Sequence, residues 1–412
     1  MTTHSIDKPL TEPDESSPRY AGWRVVAACY LVALCCWGFA LYGHGVYLTE
    51  LNRLHGWSTA SISVGITGFY LLTATLVVFV GDAMTRFGPR CVMLIGAGAF
   101  GSALALLAFI DARWQLYVVY ALMAVGAATM HVGAISTVLG LWFDRKRPLA
   151  VSLALNGASS GGIMIAPAMV LAIAADGFSH AVLAAAAAMS AILLPVIALW
   201  IDRPVIVPPR PNAAPPARAT TRRNALRNPA FWSVAVPFAL ALTAQVGFLV
   251  HQIAILQPAI GRATAGFSVA ALTIAAIAGR FVLGALAGRI DMRTFTACSM
   301  ASQAAMLLAL MATSDTAAII VICVVFGLSA GNLITLPSLV IQREFDPASF
   351  SMLVGLSWAI SQFTYAFGPG LLGAMRDWTG GYTAPLMLCA ALDIAAAALI
   401  LIRPGTLRRA PT

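Results

Sequence analysis

Arg280 lies within an apolar stretch, residues 265–287, that holds no acidic residue. Arginine stays protonated at any physiological pH. Placing one at mid-membrane costs roughly 2.5–3.5 kcal/mol on insertion scales. A cation kept at that cost faces a wet cavity or an anion rather than hydrocarbon. Its neighbours at helical steps of three and four are small: Thr273 and Ala276 on one side, Gly284 and Ala287 on the other. That face leaves space beside a fixed positive charge. Guanidinium matches carboxylate in a two-bond fork, so the chemistry indicated is the holding of an organic anion. An arginine tied to backbone carbonyls, or to a carboxylate on another helix, is the alternative these residues leave open.

The elements that must position this residue are membrane helices. The chain has 412 residues, 60% hydrophobic and 10% charged, far below the charged fraction of about a quarter usual in soluble domains. Apolar runs long enough to cross a bilayer recur along its length. Twelve spans are expected, over residues 23–48, 58–82, 91–110, 114–141, 149–175, 180–201, 229–256, 265–287, 294–312, 317–341, 350–375 and 382–402. With both termini placed in the cytoplasm, twenty of the 25 Lys and Arg fall on the cytoplasmic side. Arg53, Arg113, Arg262 and Arg376 fall outside, and Arg280 is the remaining one. This positive-inside bias accounts for the net charge of +9 without nucleic acid. The seven cysteines show no metal-knuckle spacing and read as packing residues. No phosphate loop, zinc spacing or nucleophile elbow is present, so no cofactor, ATP-driven pump or hydrolase is expected.

Two loops share one pattern. Gly81, Arg86 and Arg90 follow span 2; Gly284, Arg289 and Arg293 follow span 8, offset by 203 residues. Gly56-Trp57-Ser58 is echoed by Gly266-Phe267-Ser268, Phe143-Asp144 by Phe345-Asp346, and Pro167 by Pro369. The chain therefore reads as two tandem six-helix bundles, residues 23–201 and 229–403. Around them lie cytoplasmic tails, residues 1–22 and 404–412, and a cytoplasmic linker, residues 202–228. The linker holds six arginines and six prolines and is expected to form no helix. Residues 1–20 read as disordered. Trp57 suits an interface belt and Ser58 a helix N-cap. Tyr42 and Tyr47 read either as interface anchors or as substrate contacts. Gly157 and Gly161 form a small-x3-small pair for close helix approach.

Two six-helix halves, a long basic linker and the repeated Gly-x4-Arg-x3-Arg loop resemble the major facilitator superfamily over nearly the whole chain. Within it, the chain is similar to the branch of monocarboxylate transporters and oxalate/formate antiporters. The residues carrying this are Ala21-Gly22-Trp23, Gly56-Trp57-Ser58, the run from Trp142 to Ala150, and Arg280 followed by Gly284. In that branch the span-8 arginine binds the substrate carboxylate, a role that falls here on Arg280. The resemblance implies that the paired loops gate between conformations. It departs in three places. Thr85 and Gly288 stand where the loop motif has an acid. Span 11 lacks the lysine of oxalate carriers, which favours a monoanion. Ala276 and a lysine-free span 1 replace the proton-coupling partners of animal monocarboxylate carriers.

In such a fold the spans numbered one, four, seven and ten line the cavity. Its candidate contacts are Tyr42, His131, Gln245, His251, Gln252 and Asn332. His251 is a ligand or proton carrier, since imidazole titrates near neutral pH. Asp393 in span 12 reads as a packing or capping residue. The function expected is secondary transport of a small monocarboxylate by alternating access, as proton symport, as exchange or uncoupled. The chain is expected to act as a monomer in the plasma (inner) membrane, with lipid around it. An exporter of amphipathic drug-like compounds and a non-transporting sensor of the same fold are the alternatives.

Overall fold

The computed structural model describes residues 15–202, 221–286, 289–346 and 349–404. Eleven helices among them are long and apolar enough to cross a membrane. In chain order we number them span 1 (Gly22–His55), span 2 (Thr59–Phe87), span 3 (Pro89–Phe109), span 4 (Arg113–Trp142), span 5 (Arg147–Asp176) and span 6 (Phe178–Trp200). There follow span 7 (Pro229–Ile260), span 8 (Arg262–Leu286), span 9 (Met292–Met311), span 10 (Thr316–Ile334) and span 12 (Thr383–Leu401). Span 11 is made by two shorter helices, Phe350–Tyr365 and Gly368–Thr379. No strand occurs among the described residues. A lipid-exposed backbone has no water to pair with, and the helix satisfies its own N–H and C=O groups.

Side chains and proline set the helix starts. Ser58 Oγ accepts from Ser61 N at 3.2 Å, as expected, and Asn228, Asp291 and Asp315 cap spans 7, 9 and 10 in the same way. Gly56 ends span 1 in the left-handed conformation, φ 64°, where a residue with a Cβ is strained.

The packing order follows a six-helix repeat. Span 1 packs on span 5, span 2 on span 4 and span 3 on span 6; span 7 packs on span 11, span 8 on span 10 and span 9 on span 12. The bundles meet where span 2 touches span 11 and span 5 touches span 8, with span 1 against span 7. These are two pseudo-symmetric six-helix bundles. Gly157 and Gly161 pack as expected: a Cβ on Gly157 would lie 2.0 Å from Tyr30 O, and one on Gly161 2.6 Å from Leu34 O. Span 8 uses the same device against span 10, with Gly279 on Leu328 O, and Gly327 and Gly331 on the carbonyls of Leu272 and Ala276.

Several expectations are corrected. Residues 15–20 are docked. Glu15 accepts from the backbone N–H of Asp144 and of Lys146, both at 2.7 Å, and the Tyr20 hydroxyl donates to Trp142 O. Glu15 thus satisfies the amide of Lys146, the N-cap of span 5, and one in the loop before it. The end of the linker is helical over Arg222–Arg227, capped by Thr221; the prolines all lie upstream, so nothing blocks the turn. Trp57 is no interface residue: it is 7% exposed and stacks on His55 at 4.5 Å. Tyr47 is buried as well. Residues 1–14, the linker over 203–220, Ala287, Gly288 and residues 405–412 lie outside the described residues.

Candidate functional site

The crossing of spans 1, 5 and 8 builds the site. Span 8 is cut by small residues on the face toward span 10, which lets it lie close and turns Arg280 toward the other bundle. The half-buried guanidinium donates from Nη2 to Ser159 Oγ of span 5 at 2.8 Å. Its Nε is buried with no partner. No acidic side chain among the described residues pairs with it. Tyr42 of span 1 lies close enough to interact electrostatically with Arg280, and its hydroxyl hydrogen-bonds Thr273, two turns before Arg280 on span 8. Gly162 completes the corner. A Cβ there would meet Thr273 Oγ1 at 2.6 Å and Tyr42 Cζ at 2.7 Å. The result is an uncompensated guanidinium whose buried Nε lacks a partner, beside a phenol and two hydroxyls, between the bundles. Thr273 Oγ1 donates to Val269 O at 2.7 Å, so the guanidinium is the free donor group, and with no acid against it that suits a small anion.

Tyr42 is thus brought to Arg280, not to an interface. Asn332 approaches the same helix. It lies in a 3-10 turn, Gly331–Ile334, pressed on span 8 at Ala276, one turn before Arg280. Its Nδ2 donates to Leu328 O at 3.1 Å and its Oδ1 has no partner. Gln245 and Gln252 are buried in span 7 with Oε1 unpartnered; Gln252 Nε2 donates to Ser268 Oγ at 3.0 Å.

The two histidines are engaged elsewhere. His131 breaks span 4 and stacks on Trp37 at 5.3 Å, inside its own bundle. His251 sits where spans 2, 7 and 11 meet. Its Nε2 is 3.0 Å from Pro369 O and 3.3 Å from Ser63 Oγ, and its Nδ1 is 3.1 Å from the Tyr382 hydroxyl. This belongs to a belt of contacts between the bundles on the face opposite the termini. Gly370 N donates to Thr67 Oγ1 at 3.0 Å and Ala60 N to Asp377 Oδ2 at 2.6 Å. Glu50, 2% exposed, pairs with Arg262 of span 8 and with Arg53 at 3.0 Å. The molecule is closed on that face.

The repeated loops divide the work of their two arginines. Arg90 donates from Nε to Ile201 O at 2.8 Å and pairs with Asp202 at 2.8 Å. Arg293, 1% exposed, donates to Ile400 O and Ile402 O at 2.7 Å and pairs with Glu344 at 2.6 Å. Each second arginine therefore caps the last helix of its own bundle, where terminal carbonyls lack partners, and neither reaches the other bundle here. Arg86 lies 5.2 Å from the Phe87 ring, and the Arg289 N–H donates to Leu286 O. A Cβ on Gly81 or Gly284 would meet nothing within 4 Å. Asp393 is fully buried with both oxygens unpartnered, so it caps nothing. Ser159 and Gly162 escaped sequence reasoning as site residues because small residues in span 5 read only as packing; their one available signal was proximity to Pro167.

Residues 26–369 match the family described as Major Facilitator Superfamily. The chain is 27% identical to human Monocarboxylate transporter 11 over 403 residues, covering 94% of this chain and 83% of that protein. It is 24% identical to MFS-type transporter 1 of Ophiocordyceps sp. (strain BCC 1869), covering 92% and 85%. Among solved structures it superposes on the nucleoside transporter NupG with a TM-score of 0.71 at 15% identity, covering 93% of this chain and all of that one. It superposes on a bacterial homologue of the lysosomal transporter Spinster, inward-facing and unoccupied, with a TM-score of 0.69 at 14% identity, covering 93% and 95%.

Proposed function

Because the chain belongs to the Major Facilitator Superfamily, a family of membrane transporters and not of enzymes, we propose that it carries a small monocarboxylate across the plasma (inner) membrane. The observation that supports this reading is Arg280 between the bundles, with Nε unpaired and no acid against it. The carboxylate takes the unpartnered Nε and the Nη2 now given to Ser159, in a bidentate fork. Tyr42 and Thr273 close over its other end. Span 11 brings no second cation between Phe350 and Arg376, so one negative charge is balanced and two are not. The bundles rock around the site in alternating access, with the loops at Gly81, Arg86, Gly284 and Arg289 meeting their neighbours in the opposite conformation. Both termini face the cytoplasm, the side that collects most of the Lys and Arg. The monomer is the working unit, and the anion moves with a proton or against a second anion.

Uptake of labelled acetate, lactate, pyruvate and benzoate into proteoliposomes tests this. Hydrogen bonds to a charged group contribute roughly 1.5–3 kcal/mol, so Arg280→Ala lowers uptake by about ten- to a hundred-fold. Arg280→Lys keeps the charge and loses the fork, and falls between. Wild-type rates in both variants for every acid would remove Arg280 from the site.

A further inference from the structure

Span 1 carries a second polar cluster that the Arg280 crevice does not use. His44 is fully buried, and neither ring nitrogen has a hydrogen-bond partner. Four aromatic rings surround it edge to face, with centroids at 4.7 Å (Phe69), 5.0 Å (Tyr120), 5.8 Å (Tyr70) and 6.2 Å (Tyr47). The hydroxyls of the three tyrosines are themselves buried and unpartnered. Orphaned buried polar atoms are rare in folded proteins, because each forfeits its hydrogen bonds with water. Two ring nitrogens and three phenol oxygens on neighbouring side chains of spans 1, 2 and 4 are thus left without partners. A water or a proton is the smallest partner that would relieve them, since a buried water makes two to four hydrogen bonds.

The cluster borders the anion site and the moving parts. Tyr70 lies near Tyr42, which lies near Arg280. Tyr70 also stands against Tyr365 of span 11, in the other bundle, at 5.8 Å. A π-helical stretch, Gly38–Tyr42, precedes His44, and such wide turns mark places where a helix can change register. Gly45, the next residue, lies so close to span 7 that a Cβ would be 2.9 Å from Val250 O. Rocking of the bundles therefore acts directly on the backbone that carries the imidazole.

We infer that His44 and its tyrosine cage take up and release the proton that travels with the anion. This rests on the monocarboxylate reading above. In the loading step a hydronium ion on one face passes its proton to the lone pair of a neutral ring nitrogen, its own O–H bond breaks, the new N–H bond forms, and water is left behind. After the bundles rock, that N–H bond breaks toward water on the other face and the imidazole is neutral again. Anion and proton move together, so no net charge crosses. The titratable groups facing the ring are Tyr47 on its own span, Tyr70 on span 2 and Tyr120 on span 4. No carboxylate or cation among the described residues touches it, and Glu50 is committed to Arg262 and Arg53. The bound anion adds a negative charge that favours the protonated imidazole, and linkage makes each ligand raise the other's affinity equally.

The test uses proteoliposomes of the full chain with a trapped pH dye and with lactate or pyruvate as the probe. Wild type is expected to acidify the lumen as the acid enters, and to accumulate it under an inward proton gradient. His44→Gln and His44→Phe are expected to lose gradient-driven accumulation by roughly 5–150-fold, the usual span of a coupling free energy, while acid-for-acid counterflow persists. Counterflow also reports that the variants fold. Gradient-driven accumulation in H44Q equal to wild type would overturn the inference and leave Arg280 untouched. If wild type moves no acid, the monocarboxylate reading fails, and NMR of histidine-labelled protein decides His44 alone. A resonance missing in H44Q that titrates between about pH 5 and 8 supports a proton site; one that stays neutral throughout refutes it.

Discussion

Replacing Gly373 by alanine should open the face of the molecule opposite the termini. Gly373 lies on span 11, and its close neighbours belong to span 2, in the other bundle. A Cβ there would lie 2.5 Å from Ser63 Oγ, 2.6 Å from Ser63 Cβ and 3.1 Å from Thr59 O. Carbon pairs rest at about 3.5–4.0 Å, so the spans must part by roughly 1 Å or twist a side chain from its rotamer. Overpacking of this kind costs about 1–3 kcal/mol. The clash exists only while the bundles touch there, so the cost falls on the closed conformation alone. The ratio of open to closed molecules should rise by roughly 5–150-fold, at 1.4 kcal/mol per decade. A methyl group added at Gly355, on the same span, would meet nothing within 4 Å, so Gly355→Ala is the matched control. Spin labels at Leu54 and Trp378, both exposed, report the separation by pulsed electron resonance once the exposed Cys91 and Cys298 are replaced. G373A should shift weight to a longer distance, and G355A should not. Identical distributions in wild type and G373A would refute the argument that backbone contact at Gly373 holds this face shut.

Two further predictions concern the loop after span 8. Arg293→Gln leaves Glu344 without its partner and orphans the carbonyls of Ile400 and Ile402; breaking a buried pair costs about 3–5 kcal/mol, which thermal unfolding in detergent should read as a large drop in Tm. Asp291 is held down to about 2 by its hydrogen bond from Thr294 N, with Arg403 adding to the effect. A depressed carboxyl stabilises the fold above its unfolded pKa of about 3.9 and loses that contribution as pH falls toward the folded value. Asp291→Ala should therefore melt below wild type at neutral pH, by the roughly 1 kcal/mol of a lost cap, and the gap should narrow between about pH 4 and pH 2.

Composition and pattern alone determined the membrane class, the twelve spans and the six-helix repeat, and singled out Arg280. Those are properties of single helices and of their spacing. An unpaired charge in hydrocarbon is costly in any fold, and an apolar run of about twenty residues is long enough to span a bilayer in any fold. Only the tertiary structure decided which polar residues share a site. It set Ser159, Gly162 and Tyr42 against Arg280, sent His251 to the contact between spans 2, 7 and 11, and closed a ring of tyrosines around His44. These juxtapositions join residues far apart in the chain or across the bundle interface, and depend on how each helix is rotated about its own axis. Close backbone contact at Gly157, Gly279 and Gly331 sets that rotation, and such contact leaves no trace in hydropathy. The second arginines of the repeated loops show the same division. Their spacing revealed the repeat, but only the fold showed that each caps the last helix of its own bundle.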